Sequence, residues 1–68
     1  MQHVCDIEIA ISTAQQDAVT YEAWMQVWYD TDNDCYIVIR DDVIDNRKHD
    51  GAWRLVYEVD KHGTENFN

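Results

Sequence analysis

Apolar side chains recur at every second position through much of this chain, and that period fits a pleated strand better than a helix. In "HVCDIEIAIS", Cys5, Ile7, Ile9 and Ile11 fall on one face, with Val4, Asp6, Glu8 and Ala10 on the other. In "AVTYEAWMQVWYD", Val19, Tyr21, Ala23, Met25, Val27 and Tyr29 alternate without a break, which puts Trp24 and Trp28 on the opposite side. In "CYIVIRD", Cys35, Ile37 and Ile39 alternate with Tyr36, Val38 and Arg40. In "AWRLVYEVD", Trp53, Leu55, Tyr57 and Val59 alternate with Arg54, Val56 and Glu58. Segments rich in Ile, Val, Tyr and Trp between polar turns predict a mainly β protein, a four-stranded antiparallel meander.

One stretch reads two ways. In "STAQQDAVTYEAW", Ser12 or Thr13 can cap a helix, with Gln15 or Gln16 completing a capping box. Ala14, Ala18, Tyr21 and Met25 then fall at helical spacing, but Val19, Ala23 and Val27 land on the other side. The expectation is a short helical turn near residues 13–17 and then a long strand, with a full helix and an α+β fold as the alternative. Residues 1–68 make one domain, and 61–68 read as a flexible C-terminal tail.

The segment "YDTDNDCYIVIRDD" places Asp30, Asp32 and Asp34 at alternate positions, as the first ligands of an EF-hand calcium loop do. Counting from Asp30, the sixth position needs glycine and holds Cys35, and the twelfth needs Glu and holds Asp41. A hairpin turn of Asp and Asn, which bond their own backbone, fits better. With Asp32 at the tip, Tyr29 faces Cys35, Val27 faces Ile37 and Met25 faces Ile39. Cross-strand pairs of this kind contribute about 0.2–1 kcal/mol each.

Fourteen Asp and Glu against five Lys and Arg give a formal charge of −9. Direct binding to nucleic acid or anionic membrane is disfavoured, because phosphate affinity comes mostly from Lys and Arg. The acidity does not imply disorder, since 46% of the chain is hydrophobic, with three Trp and four Tyr. Two cysteines do not make a disulfide scaffold. "MQHVCDIEIAI" lacks the basic start of a signal peptide, and no apolar run approaches the ~20 residues that span a bilayer. The expected setting is cytoplasmic, or the host cytoplasm for a viral protein.

Catalytic readings are weak. Asp6 and Glu8 would stand about 6.6 Å apart on one strand face, too open to share a proton but spaced like a ladder of charge. His3 and Cys5 share a face, yet a reactive thiol needs an electropositive setting that this acidic chain lacks. His3, Cys5, Cys35, His49 and His62 show no zinc spacing, so no metal and no cofactor are expected. In "DNRKHDG", Arg47 and Lys48 are the only adjacent bases, in a solvated turn or a clasp for an acid on a partner or second copy. An enzyme is not expected.

Binding is the expectation that remains. An acidic coat on a small sheet suits a larger protein with a basic surface, a nuclease or nucleic-acid-binding complex, whose phosphate site the carboxylates would occupy. In size and charge the chain resembles virus-encoded anti-CRISPR and anti-restriction inhibitors. The candidate contacts are Asp30, Asp32, Asp34, Asp41, Asp42 and Asp45, with Trp24 and Trp28 as aromatic anchors beside Tyr36 and Val38. Because one sheet cannot bury two apolar faces by itself, a homodimer is a further expectation. The alternative is an assembly module, an accessory subunit or antitoxin, whose charge serves only solubility.

Overall fold

A helix and an irregular segment cover opposite faces of one antiparallel sheet. The computed structural model describes residues 2–67. They form β1 (Gln2–Val4), α1 (Ile7–Tyr21), β2 (Met25–Asp30), β3 (Cys35–Arg40), α2 (Asn46–His49), β4 (Trp53–Val59) and β5 (Glu65–Phe67). The class is the expected one, mainly β with a helix after the first strand. The strands number five rather than four, and their order in space, β1-β3-β2-β4-β5, is not a simple meander. The α1 connection passes from β1 beyond β3 to β2, and residues 41–52 pass from β3 beyond β2 to β4. No helix among the described residues is long and apolar enough to cross a membrane.

Residues 7–11, expected as a strand, begin a 15-residue helix instead. Asp6 caps it, its carboxylate accepting from the backbone N–H of Glu8 at 2.8 Å and of Ile9 at 3.5 Å. Glu8 sits in the first turn, where the helix dipole favours negative charge. Ala10, Ala14 and Ala18, four apart and therefore on one face, are fully buried against the sheet. Small side chains let the helix approach closely, while Ile7 and Ile9, which suggested a strand, stay exposed. The helix runs past the short turn expected at 13–17 and stops at Glu22, whose left-handed φ of 50° turns the chain into β2.

The β2–β3 hairpin forms one residue out of the expected register. Asp30 pairs with Cys35, Tyr29 with Tyr36, Val27 with Val38 and Met25 with Arg40. Asp34 takes a left-handed φ of 51°, so residues 31–34 make the loop. The helix side of the sheet carries Met25, Val27, Val38, Tyr57 and Val59. The other side carries Cys35, Ile37, Ile39 and Trp53, with Trp28 and Ala52 packed on them. The pairing of β2 with β4 shifts between Val27 and Trp28, where Val56 is the extra residue. That bulge breaks the alternation of β4, so Trp53 and Tyr57 serve opposite cores.

Of the segment 61–68, expected as a flexible tail, the described residues to Phe67 turn at Gly63 and add β5 to β4, and Asn68 lies outside the described residues. Gln15 of α1 donates to Tyr57 Oη at 3.2 Å and to Glu65 Oε1 at 3.0 Å, and the Tyr57 hydroxyl donates to Glu65 at 3.1 Å. Phe67 lies against the Tyr57 ring with centroids 4.9 Å apart. Both apolar faces are therefore covered within one chain, and the sheet does not need a second copy to bury them.

Candidate functional site

Carboxylates chosen from the sequence fall into two groups at opposite ends of β3. The six residues of that strand separate Asp30, Asp32 and Asp34 from Asp41 and Asp42 by about 20 Å at the usual strand rise, while Asp45 is linked toward the first group, bonded to the backbone of the Arg47 whose side chain reaches Asp30 and Asp32. The six carboxylates do not form one continuous row.

Asp30 is a structural residue rather than a contact. It is fully buried. One oxygen accepts from the N–H of Asp32 at 3.0 Å and of Asn33 at 3.3 Å, and the other accepts from the Asn33 amide at 2.8 Å. Arg47 reaches the same group at 3.4 Å and bonds Asp32 at 3.1 Å. The Asn33 amide, above all, holds the Asp30 carboxyl below its ordinary range; burial opposes this, and the two N–H groups and Arg47 add to the lowering. These bonds occupy the oxygens that a calcium loop would offer, and β3 follows where an EF-hand would start a helix. Among the described residues no group of three His, Cys, Asp or Glu could hold a metal ion.

Asp34 is exposed and accepts from the Tyr29 hydroxyl, which raises the Tyr29 pKa. Asp45 caps α2, accepting from Arg47 N–H at 2.8 Å. Asp42 pairs with Arg40 at 3.0 Å on the surface. Asp41 is exposed. Asp6 and Glu8, expected as a ladder on a strand, are a helix cap and a first-turn acid. At the far end Asp60 closes the β4–β5 turn, accepting from the N–H groups of His62 and Thr64, both at 2.9 Å. Burial works to raise its pKa, but those N–H groups outweigh it and hold it low.

The two tryptophans do not form the expected patch. Trp28 packs on the core of Ile37 and Ile39, whereas Tyr36 and Val38 pack on the helix side. Its indole N–H donates to Gln26 at 2.9 Å, and Lys48 Nζ lies 5.5 Å from its ring centroid. Trp24 is half-buried beside a cavity of about 220 Å³ lined by Glu22, Ala23, Asp60, Lys61 and His62.

"DNRKHDG" is a clasp, and it closes on the chain itself. Arg47 lies over Trp53, 5.9 Å from the ring centroid, while bonding Asp30 and Asp32. Lys48 donates to the Val43 carbonyl at 2.7 Å and to Gln26 at 3.4 Å. With Arg40 on Asp42, three of the five Lys and Arg side chains are engaged internally. None of those five bases lies in residues 1–39, which hold seven of the fourteen acids. The imbalance was there to be counted; the inward turn of Arg47 and Lys48 was not.

A groove that alternation did not suggest lies where the end of α1 meets the ends of β2 and β3. Its volume is about 300 Å³. Tyr21, Met25, Val38 and Val43 supply apolar lining, and Asp17, Arg40 and Asp45 supply charge. Tyr21 and Val43 are exposed, and neighbouring Ile44 is 82% exposed.

Compared with known proteins, the chain matches no family model, no curated protein and no solved structure, so its function must be read from its own residues.

Proposed function

We propose that this protein is an acidic binder that occupies the basic, nucleic-acid-binding surface of a larger protein, such as a nuclease, in the cytoplasm of the cell where that partner works. One observation carries the reading. The chain has a charge of −9, and most of its few bases are turned onto its own Asp30, Asp32, Asp42, Trp28 and Trp53. Few cations are therefore left free on the surface to offset the remaining exposed carboxylates. Exposed carboxylates at Glu8, Glu22, Asp32, Asp34 and Asp41 are the groups a basic groove would meet. Such charge speeds encounter and selects partners of opposite sign. The inhibitory action of virus-encoded anti-CRISPR and anti-restriction proteins is the model for this reading, by size and charge.

Immobilised protein offered a lysate at low salt tests it. The captured protein should have a basic surface and should be released by added salt and by competing double-stranded DNA. Replacing Asp32, Asp34 and Asp41 together with Asn should weaken capture and flatten its salt dependence. A partner that stays bound in high salt and ignores DNA overturns the proposal.

A second reading draws on the groove. Exposed Tyr21, Val43 and Ile44 beside an apolar lining suit an assembly contact that does not depend on charge. It predicts that Tyr21→Ser and Ile44→Ser abolish capture while the Asn variant leaves it intact.

A further inference from the structure

We propose that Cys5 and Cys35 are the two halves of a reversible intrachain disulfide that staples β1 to β3 at the base of α1. The inference is independent of the partner. The β1–β3 ladder pairs Gln2 with Val38, His3 with Ile37 and Val4 with Tyr36. Carried one step past the end of β1, the same register would set Cys5 opposite Cys35. Directly opposed residues of an antiparallel pair lie about 4.5–5.5 Å apart at Cα, and disulfides span about 4.4–6.8 Å. The side of the ladder is also right. His3, two residues before Cys5, has its Nδ1 3.9 Å from the Cys35 sulfur. Both thiols are free, Cys5 exposed at the bend before α1 and Cys35 buried.

Exposure sets the order of events. Burial pushes the Cys35 thiol up, and Asp30 and Cys5 push it further, so it does not react first. The Cys5 thiolate attacks a low-molecular-weight disulfide such as oxidised glutathione, forming a mixed disulfide and releasing one thiolate. Cys35 then attacks the Cys5 sulfur. Its proton passes to the His3 imidazole, the Cys5–Cys35 bond forms, and the second glutathione thiolate leaves. Two protein thiols are oxidised and one glutathione disulfide is reduced to two thiols.

The closed loop would hold residues 5–35, which include all of α1 and β2. A loop of this length predicts a rise in Tm on the order of 10 °C or more.

The full chain is equilibrated in mixtures of oxidised and reduced glutathione, quenched with acid, and analysed by intact mass, peptide mapping and thermal denaturation. The expected product is a monomer that has lost two hydrogens, gives a Cys5–Cys35 linked peptide, melts higher, and reverts with dithiothreitol. In Cys5→Ser, which alters only an exposed side chain, oxidant should leave Tm unchanged. His3→Gln should slow conversion of the mixed disulfide to the ring without changing the final ratio. Accumulation of the glutathione adduct on Cys5 alone, Cys5-linked dimers without the intrachain peptide, or a linked monomer that melts lower overturns the proposal.

Discussion

The two faces of the sheet are closed by different chemistry. On one, α1 lays Ala10, Ala14 and Ala18 against Val27, Val38 and Tyr57, a contact made of buried apolar atoms. On the other, residues 41–52 cover Ile37, Ile39, Trp28 and Trp53 with little regular structure, and Arg47 and Lys48 finish the job by lying over the two indoles. The first face depends mainly on the hydrophobic effect, which needs no charged group. The second also buries Ile37, Ile39 and Trp53 but adds cations to the apolar contact, Arg47 held by Asp30 and Asp32 and Lys48 by the Val43 carbonyl and Gln26, and the buried indole N–H of Trp53 has no partner among the described residues. One sheet thus combines a firm side and a conditional side, and the acidic hairpin tip belongs to the conditional one.

Breaking the firm side should cost most. Tyr57 is fully buried and ties α1 to β5 through Gln15 and Glu65. Tyr57→Ala should destabilise by about 3–5 kcal/mol. Chains of this size hold only about 0.05–0.15 kcal/mol per residue, so the variant should be largely unfolded at 25 °C by circular dichroism. A cooperative transition within a few degrees of the unaltered protein would mean that the helix face does not dominate.

Breaking the conditional side should cost less and depend on pH. Arg47→Met keeps a stem over Trp53 but removes the cation from Asp30 and Asp32. Tm at neutral pH should fall by several degrees, and calorimetry will read it. Acid sharpens the contrast. The Asp30 pKa is lowered from 3.8 in the folded state, so its stabilisation is complete above the ordinary carboxylate range and is lost as pH falls through the depressed value. Without Arg47 the lowering is smaller, so the acid loss should be smaller in total and should be complete at a higher pH. An unchanged acid limb would assign the hold on Asp30 wholly to Asn33 and the backbone.

How much of this was legible depended on whether a face was left polar. Alternation located β2, β3 and the body of β4, because their β-branched and aromatic runs leave no room for a helix. It misplaced the hairpin by one residue because both faces of β2 and β3 are apolar. Val27 finds an apolar neighbour in Ile37 or in Val38, so pattern alone cannot choose, and the Asp30 cap and left-handed Asp34 decide. The helix was hidden by Ile7, Ile9 and Ile11, which mimic a strand. Its buried stripe is alanine, whose burial leaves little apolar signal. The Val56 bulge follows from β4 bridging two cores and has no local signature. Of the candidate carboxylates, sequence could count charge but could not see that Asp30 would be buried and that Arg47 would bond both it and the exposed Asp32.

The smallest effect on folding should come from a carboxylate that belongs to neither closure. Asp41 follows β3, its backbone N–H donating to the Trp24 carbonyl at 3.1 Å while its side chain is exposed. Asp41→Asn keeps that backbone bond and the side-chain volume and removes one negative charge from a crowded surface. Stability should stay within about 0.5 kcal/mol, as for surface substitutions away from special features, and should move upward if it moves at all. Capture of a basic partner should nevertheless weaken, because each lost charge lowers the attraction that salt screens. Asp30→Asn gives the converse, lower stability with no direct loss of a surface contact. If Asp41→Asn lowers Tm as much as Arg47→Met does, the division between a self-directed acid cluster and an outward one fails. If neither stability nor capture responds, Asp41 serves solubility alone.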